Sequence, residues 1–136
     1  MKILIVEDDP LIGPAMRAVL RSAGHTILGP VRDALKALRL AEGEHPDLAL
    51  VDYHLAGRED GLCVVRRLAA VHAVPSLLVT GFDHRAEEVR GEALGFLHKP
   101  FSPTALIEAV EAAGALLGGK VPGAVPSSLE LFRTVP

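Results

Sequence analysis

The sequence predicts an α/β fold with a parallel sheet. Three observations carry this. Short apolar runs recur along the chain, apolar residues at helical spacing separate them, and charged or hydroxyl residues follow the first, third, fourth and fifth runs. A strand buried on both faces reads as an unbroken apolar run. A helix lying on a sheet shows apolar residues three and four apart. Taken in order, Ile3-Leu4-Ile5-Val6 is the first strand, and Leu11, Ile12, Ala15, Met16, Val19, Leu20 and Ala23 trace a helix stopped by Gly24. Thr26-Ile27-Leu28 is a second, weaker strand, and Ala34, Leu35, Leu38 and Ala41 line a helix closed by Gly43. Leu48-Ala49-Leu50-Val51 is the third strand, followed by a helix through Leu62, Val65, Leu68, Ala69 and His72. Pro75 opens the fourth strand, Ser76-Leu77-Leu78-Val79, and a short polar helix is expected over 83–93. Phe96-Leu97-His98 is the fifth strand, and Ala105, Leu106, Ala109, Val110 and Ala113 mark the last helix. Five strands alternating with five helices imply right-handed crossovers, helices on both faces, and a ligand site beyond the carboxyl ends of the strands.

Composition narrows the function. The chain has 136 residues, 49% hydrophobic and 23% charged, which suits one domain with a sizeable core. A net charge of −3 and 4% aromatic content exclude a basic, base-stacking nucleic-acid surface. The single cysteine, Cys63, excludes an internal disulfide framework and suits a reducing cytoplasm. The six histidines are scattered, without the clustering of a zinc site. There is no apolar stretch of the length a signal peptide or membrane span needs, so no membrane partner is expected. The domain is expected over 1–118. Residues 119–136 form a Gly- and Pro-containing tail, with no output domain. Within that tail Leu129-Glu130-Leu131-Phe132 is an apolar island. It reads either as frayed linker or as a segment docked on this domain or on a second copy in a homodimer.

The residues just past the strands carry the chemistry. They are Glu7-Asp8-Asp9, Asp52, Thr80 and Lys99-Pro100. The fold brings those ends together, so carboxylates, a hydroxyl and an ammonium converge. Clustered carboxylates repel one another unless a cation joins them. Oxygen ligands without Cys or His select Mg²⁺, which favours phosphate oxygens. An Asp carboxylate can accept a phosphoryl group covalently. Each residue also has a plainer role open to it: Asp9-Pro10 suits a helix start, Asp52 and Thr80-Gly81 suit turns, and Lys99 suits a solvated side chain.

On the segments Ile3 to Pro10, Pro46 to Asp52, Leu78-Val79-Thr80-Gly81 and His98-Lys99-Pro100-Phe101, the chain resembles the receiver domain of bacterial two-component response regulators, as a stand-alone, CheY-like member. The resemblance runs from Met1 to about Leu117. It implies a flavodoxin-like sheet of order 2-1-3-4-5, with Asp52 as phosphoacceptor and Asp8 as a direct Mg²⁺ ligand. Glu7 would act mainly through water, Asp9 as an accessory acid, and His54 through its backbone carbonyl. It implies Thr80 as the switch hydroxyl, Lys99 as the phosphate-binding lysine, Phe96 as the switch aromatic, and a cis bond before Pro100. The phosphoryl donor would be a sensor histidine kinase or a histidine phosphotransfer protein, and the chain a switch or relay rather than an enzyme. The stretch between Thr80 and Lys99 is shorter than usual in the family, so a short or irregular fourth helix is expected, which weakens dimerisation through the usual face. Phe82, two residues past Thr80, is expected to shield the phosphoryl group from water. Competing readings are a phosphorylation-independent module, a phosphatase with an Asp nucleophile, and an FMN binder. The phosphatase would need a second Asp where His54 stands, and the FMN binder a hydroxyl- and glycine-rich loop where Glu7-Asp8-Asp9 stands.

Overall fold

A computed structural model describes residues 1–55, 60–81, 88 and 90–132. The elements run β1 (Lys2–Val6), α1 (Ile12–Ser22), β2 (Thr26–Val31), α2 (Ala34–Glu44), β3 (Leu48–Asp52), α3 (Gly61–His72), β4 (Ser76–Thr80), β5 (Gly95–His98), α4 (Pro103–Leu117) and β6 (Leu129–Leu131). They form one sheet of order β2-β1-β3-β4-β5-β6. The first five strands pair in parallel, and β6 joins β5 antiparallel.

The unbroken apolar runs are explained by two cores, one on each face. Successive side chains of a strand point to opposite faces. Leu4, Val6, Ala49, Val51, Leu78 and Phe96 therefore meet Ala37 and Ala41 of α2 and Val64 and Leu68 of α3. Ile3, Ile5, Leu50, Leu77, Val79 and Leu97 meet Met16 and Leu20 of α1 and Leu106, Ala109 and Val110 of α4. Strands β3 and β4 are buried at every position.

Helix starts follow side-chain capping, which satisfies amides the helix leaves unpaired. Asp33 accepts from the Lys36 amide at 2.9 Å, Asp60 from Cys63 at 3.1 Å, and Ser102 from Ala105 at 3.0 Å. Helix ends depart from the sequence reading. Gly43 does not close α2. The helix continues to Glu44, and His45 takes the left-handed conformation at φ 49°, its amide bonded to the Ala41 carbonyl. Ala73, at φ 54°, ends α3 the same way.

Four α-helices lie among the described residues. The expected helix over 83–93 falls largely outside them, but its last part, residues 90–93, is turn and bend. Gly91 disfavours helix there, and the Leu94 amide is already drawn to the Ser76 carbonyl at 2.8 Å. The frayed-tail reading of 129–132 is also overturned. Leu129 and Phe132 are buried, and the sheet has six strands rather than the five expected. The reason is a seat cut in β5. A Cβ on Gly95 would lie 2.2 Å from the Glu130 carbonyl oxygen, so only glycine lets the backbones approach. The Lys99–Pro100 bond is cis, as the resemblance implies, and Gly29–Pro30 is cis as well. No helix among the described residues is long and apolar enough to cross a membrane.

Candidate functional site

The parallel register brings the strand ends to one rim. Val6 lies beside Val51, Asp52 beside Val79, and Thr80 beside His98. Glu7, Asp52, Thr80 and Lys99 therefore emerge together. Backbone bonds fix their carriers: the Glu7 amide to Val31 O at 2.9 Å, Tyr53 to Val79 O at 2.9 Å, and Lys99 to Thr80 O at 2.8 Å.

Asp52 lies at the floor of the pocket, only 5% exposed. The Lys99 ammonium sits 3.2 Å from its Oδ1 and 3.7 Å from Oε1 of Glu7. The His54 amide donates to the same Asp52 oxygen at 3.4 Å, while the His54 side chain is exposed and its ring packs edge-on against Tyr53. Glu7, Asp8 and Asp52 each place one carboxylate oxygen within 4.8 Å of the others. Asp9 stands apart from that cluster. Its Oδ1 accepts from the Leu11 amide at 2.8 Å and the Ile12 amide at 3.1 Å, so it secures the start of α1. Those two amides, Leu11 first, hold its carboxyl below the usual carboxylate range.

The electrostatics leave the cluster short of positive charge. Burial foremost, and then the adjoining Asp52 carboxylate, push the Glu7 carboxyl up from 4.5 to about 7. Lys99 offsets this only in part. Two buried oxygens in the pocket, Glu7 Oε1 and Thr80 Oγ1, have no hydrogen-bond partner. Such orphans are costly, and both are relieved by a ligand that brings a cation and acceptor oxygens. The donors are all hard oxygens, so the set fits Mg²⁺.

Gly61, whose packing the sequence reading missed, holds the site in place. Gly61 opens α3 against the end of β3, the strand that carries Asp52. A Cβ there would lie 2.1 Å from the Asp52 carbonyl oxygen, and the Gly61 amide bonds Tyr53 O at 2.8 Å. The Asp-Gly pair opening a helical pattern was the only available signal. Arg90 was also passed over; its guanidinium lies 4.3 Å over the Phe132 ring. Phe96 is buried, with Phe132 edge-to-face at 4.6 Å and His98 at 6.1 Å. Phe82 lies outside the described residues. Beside Lys99 an apolar groove of about 410 Å³ runs between α1 and α4, lined by Leu11, Ile12, Met16, Pro100, Phe101 and Leu106.

A doubly wound sheet whose carboxyl rim gathers three acids and a lysine defines an α/β domain with an oxygen-rich cation pocket. The chain matches the response regulator receiver domain over residues 3–111, and it belongs to that family of two-component signalling proteins. It is 36% identical over 115 residues to the transcriptional regulatory protein PdtaR of Mycobacterium tuberculosis, covering 82% of this chain and 56% of that one. It is 35% identical to the phyllosphere-induced regulator PhyR of Methylorubrum extorquens, covering 75% of this chain and 39% of that protein. The chain thus spans only about half of these relatives or less. Among solved structures, the signal receiver domain of a modulated diguanylate cyclase from Desulfovibrio desulfuricans superposes with TM-score 0.77 at 34% identity, covering 86% of this chain and 95% of that one.

Proposed function

We propose that the chain is a phosphorylation-operated switch or relay in which Asp52 accepts a phosphoryl group from a sensor histidine kinase or a histidine phosphotransfer protein. The observation that carries this reading is the Lys99–Asp52 pair, 3.2 Å apart at the floor of the three-acid cluster. In the transfer an Asp52 oxygen bonds to phosphorus as the bond from phosphorus to the donor imidazole nitrogen breaks. The electron pair stays on that nitrogen, and the imidazole takes a proton from solvent when it needs one. Lys99 faces the charge gathering on the phosphoryl oxygens. Thr80, whose buried hydroxyl lacks a partner, supplies a donor to one of them once the group is in place. Glu7, Asp8 and Asp52, with the His54 backbone carbonyl, are the residues that would hold Mg²⁺, which when bound neutralises part of the phosphoryl charge. The exposed apolar groove beside Lys99 supports docking of an apolar helix of the donor.

Phe96 is the residue through which a change at Thr80 reaches the sheet edge, and signalling then proceeds by protein contact. Two measurements test the reading. Beryllofluoride, a phosphoryl mimic, should bind in the presence of Mg²⁺ and lose binding in Asp52→Asn and Lys99→Ala. Profiling phosphotransfer from the host's histidine kinases should yield one donor far faster than the rest. Uniformly slow transfer from all of them would leave Asp52 without a cognate donor and refute the proposal.

A further inference from the structure

Strand β6 is unlike the other five. It has three residues, pairs antiparallel, and reaches β5 after a stretch of Gly118, Gly119, Pro122, Gly123 and Pro126. Val121 in that stretch is 92% exposed and Val125 is 50% exposed. The backbone bonds that hold the tail run to β5 and the residue before it. The His98 amide bonds Ser128 O at 2.8 Å, and the Phe132 amide bonds Leu94 O at 2.9 Å. Leu129 drops into the core beside Leu97, and Phe132 closes over Phe96 at 4.6 Å. Between them Glu130 points outward, 3.1 Å from the Arg90 guanidinium and 3.6 Å from the His98 ring. Arg90 also covers the outer face of Phe132 at 4.3 Å. These features read each position of a segment: a buried apolar residue, an acid, a half-buried apolar residue, an aromatic.

The seat is built on the β5 side. Gly95 gives up its side chain at the point where the Glu130 carbonyl oxygen would otherwise be 2.2 Å from a Cβ. Edge strands normally avoid inviting pairing, whereas this one is cut to receive it. We propose that the β5 edge is a strand-accepting site, that residues 128–132 are its resident occupant, and that a partner engages by adding an extended apolar–acid–apolar–aromatic segment in their place. Strand addition of this kind takes affinity from main-chain bonds and specificity from alternate side-chain pockets. The tethered tail competes at an effective concentration of order millimolar, so the site stays closed until the tail is displaced. The inference rests on β5, β6 and Arg90 and stands independently of the phosphoryl chemistry.

The probe is a fluorescent peptide of residues 126–132, titrated against the full chain and followed by anisotropy. The wild-type chain should bind it weakly. A full chain carrying Leu129→Ala and Phe132→Ala, whose tail competes poorly, should bind it at least tenfold tighter. Adding Gly95→Val should abolish that gain, as should placing Lys at the Glu130 position of the peptide. No gain on weakening the tail, or binding that survives Gly95→Val, overturns the proposal. Native-state hydrogen exchange on the wild-type chain checks it without any variant. The Phe132 amide should exchange at least tenfold faster than the amides of Leu77 and Leu78, because β6 opens by itself. Exchange at the same rate as β4 would make β6 an inseparable part of the sheet and refute displacement.

Discussion

Replacing Glu7 by Gln should stabilise the metal-free protein above neutral pH while weakening its hold on Mg²⁺. Glu7 is 3% exposed and faces Asp52, and its carboxyl is raised from 4.5 to about 7. The folded chain therefore binds this proton more tightly than the unfolded chain does. Stability present below about pH 4.5 is lost as pH rises through the interval up to about 7. Each tenfold change in proton affinity is worth about 1.4 kcal/mol, so the full loss is about 3 kcal/mol. Gln does not titrate. Plotted against pH in the presence of a chelator, the unfolding free energies of the two proteins should diverge by about 2–3 kcal/mol between pH 5 and pH 8. Urea unfolding followed by circular dichroism measures this, and steric differences cancel because only the divergence is read. A fixed, sub-saturating Mg²⁺ concentration should raise the wild-type curve at pH 8 by more than it raises the Gln curve. Parallel curves without metal would refute the electrostatic reading of Glu7.

Other outcomes follow from the same geometry. Gly61→Ala drives a Cβ against the Asp52 backbone, so it should cost about 2 kcal/mol or more by overpacking and slow phosphoryl uptake, read by urea unfolding and by phosphoprotein formation. Asp8→Ala should lower Mg²⁺ affinity at least tenfold. Asp9→Ala should instead lower stability by loosening the start of α1, with metal affinity changed less. Metal titration and thermal unfolding of the two variants separate these roles, and the reverse ranking would refute the assignment.

The legibility of the molecule in its sequence varies with the kind of signal. Strands β1, β3 and β4 announce themselves because burial on both faces favours unbroken apolar runs, and the ends of those runs then locate Glu7, Asp52 and Thr80. The acidic triplet was legible as a group, and Asp9-Pro10 as a helix start. Only the turn before α1 shows that Asp9 faces amides while Glu7 and Asp8 face Asp52. His45 and Ala73 end helices in a conformation usually left to glycine, so no residue type marks those stops. Strand β6 is three residues behind a Gly- and Pro-rich stretch, too short for periodicity to declare it. Gly61 and Gly95 look like ordinary loop glycines until the distance to the opposing backbone is known. Long-range approach of this sort has no local sequence signature.

The central claim is that Asp52 is the phosphoacceptor. The most direct test is to incubate the full chain with acetyl phosphate and Mg²⁺, trap the acyl phosphate with borohydride, and map the product by mass spectrometry. The account predicts the modification at Asp52 alone, dependence on Mg²⁺, and its loss in Asp52→Asn. Modification of Asp8 or Asp9 in the wild-type chain, or none at any carboxylate, would contradict it.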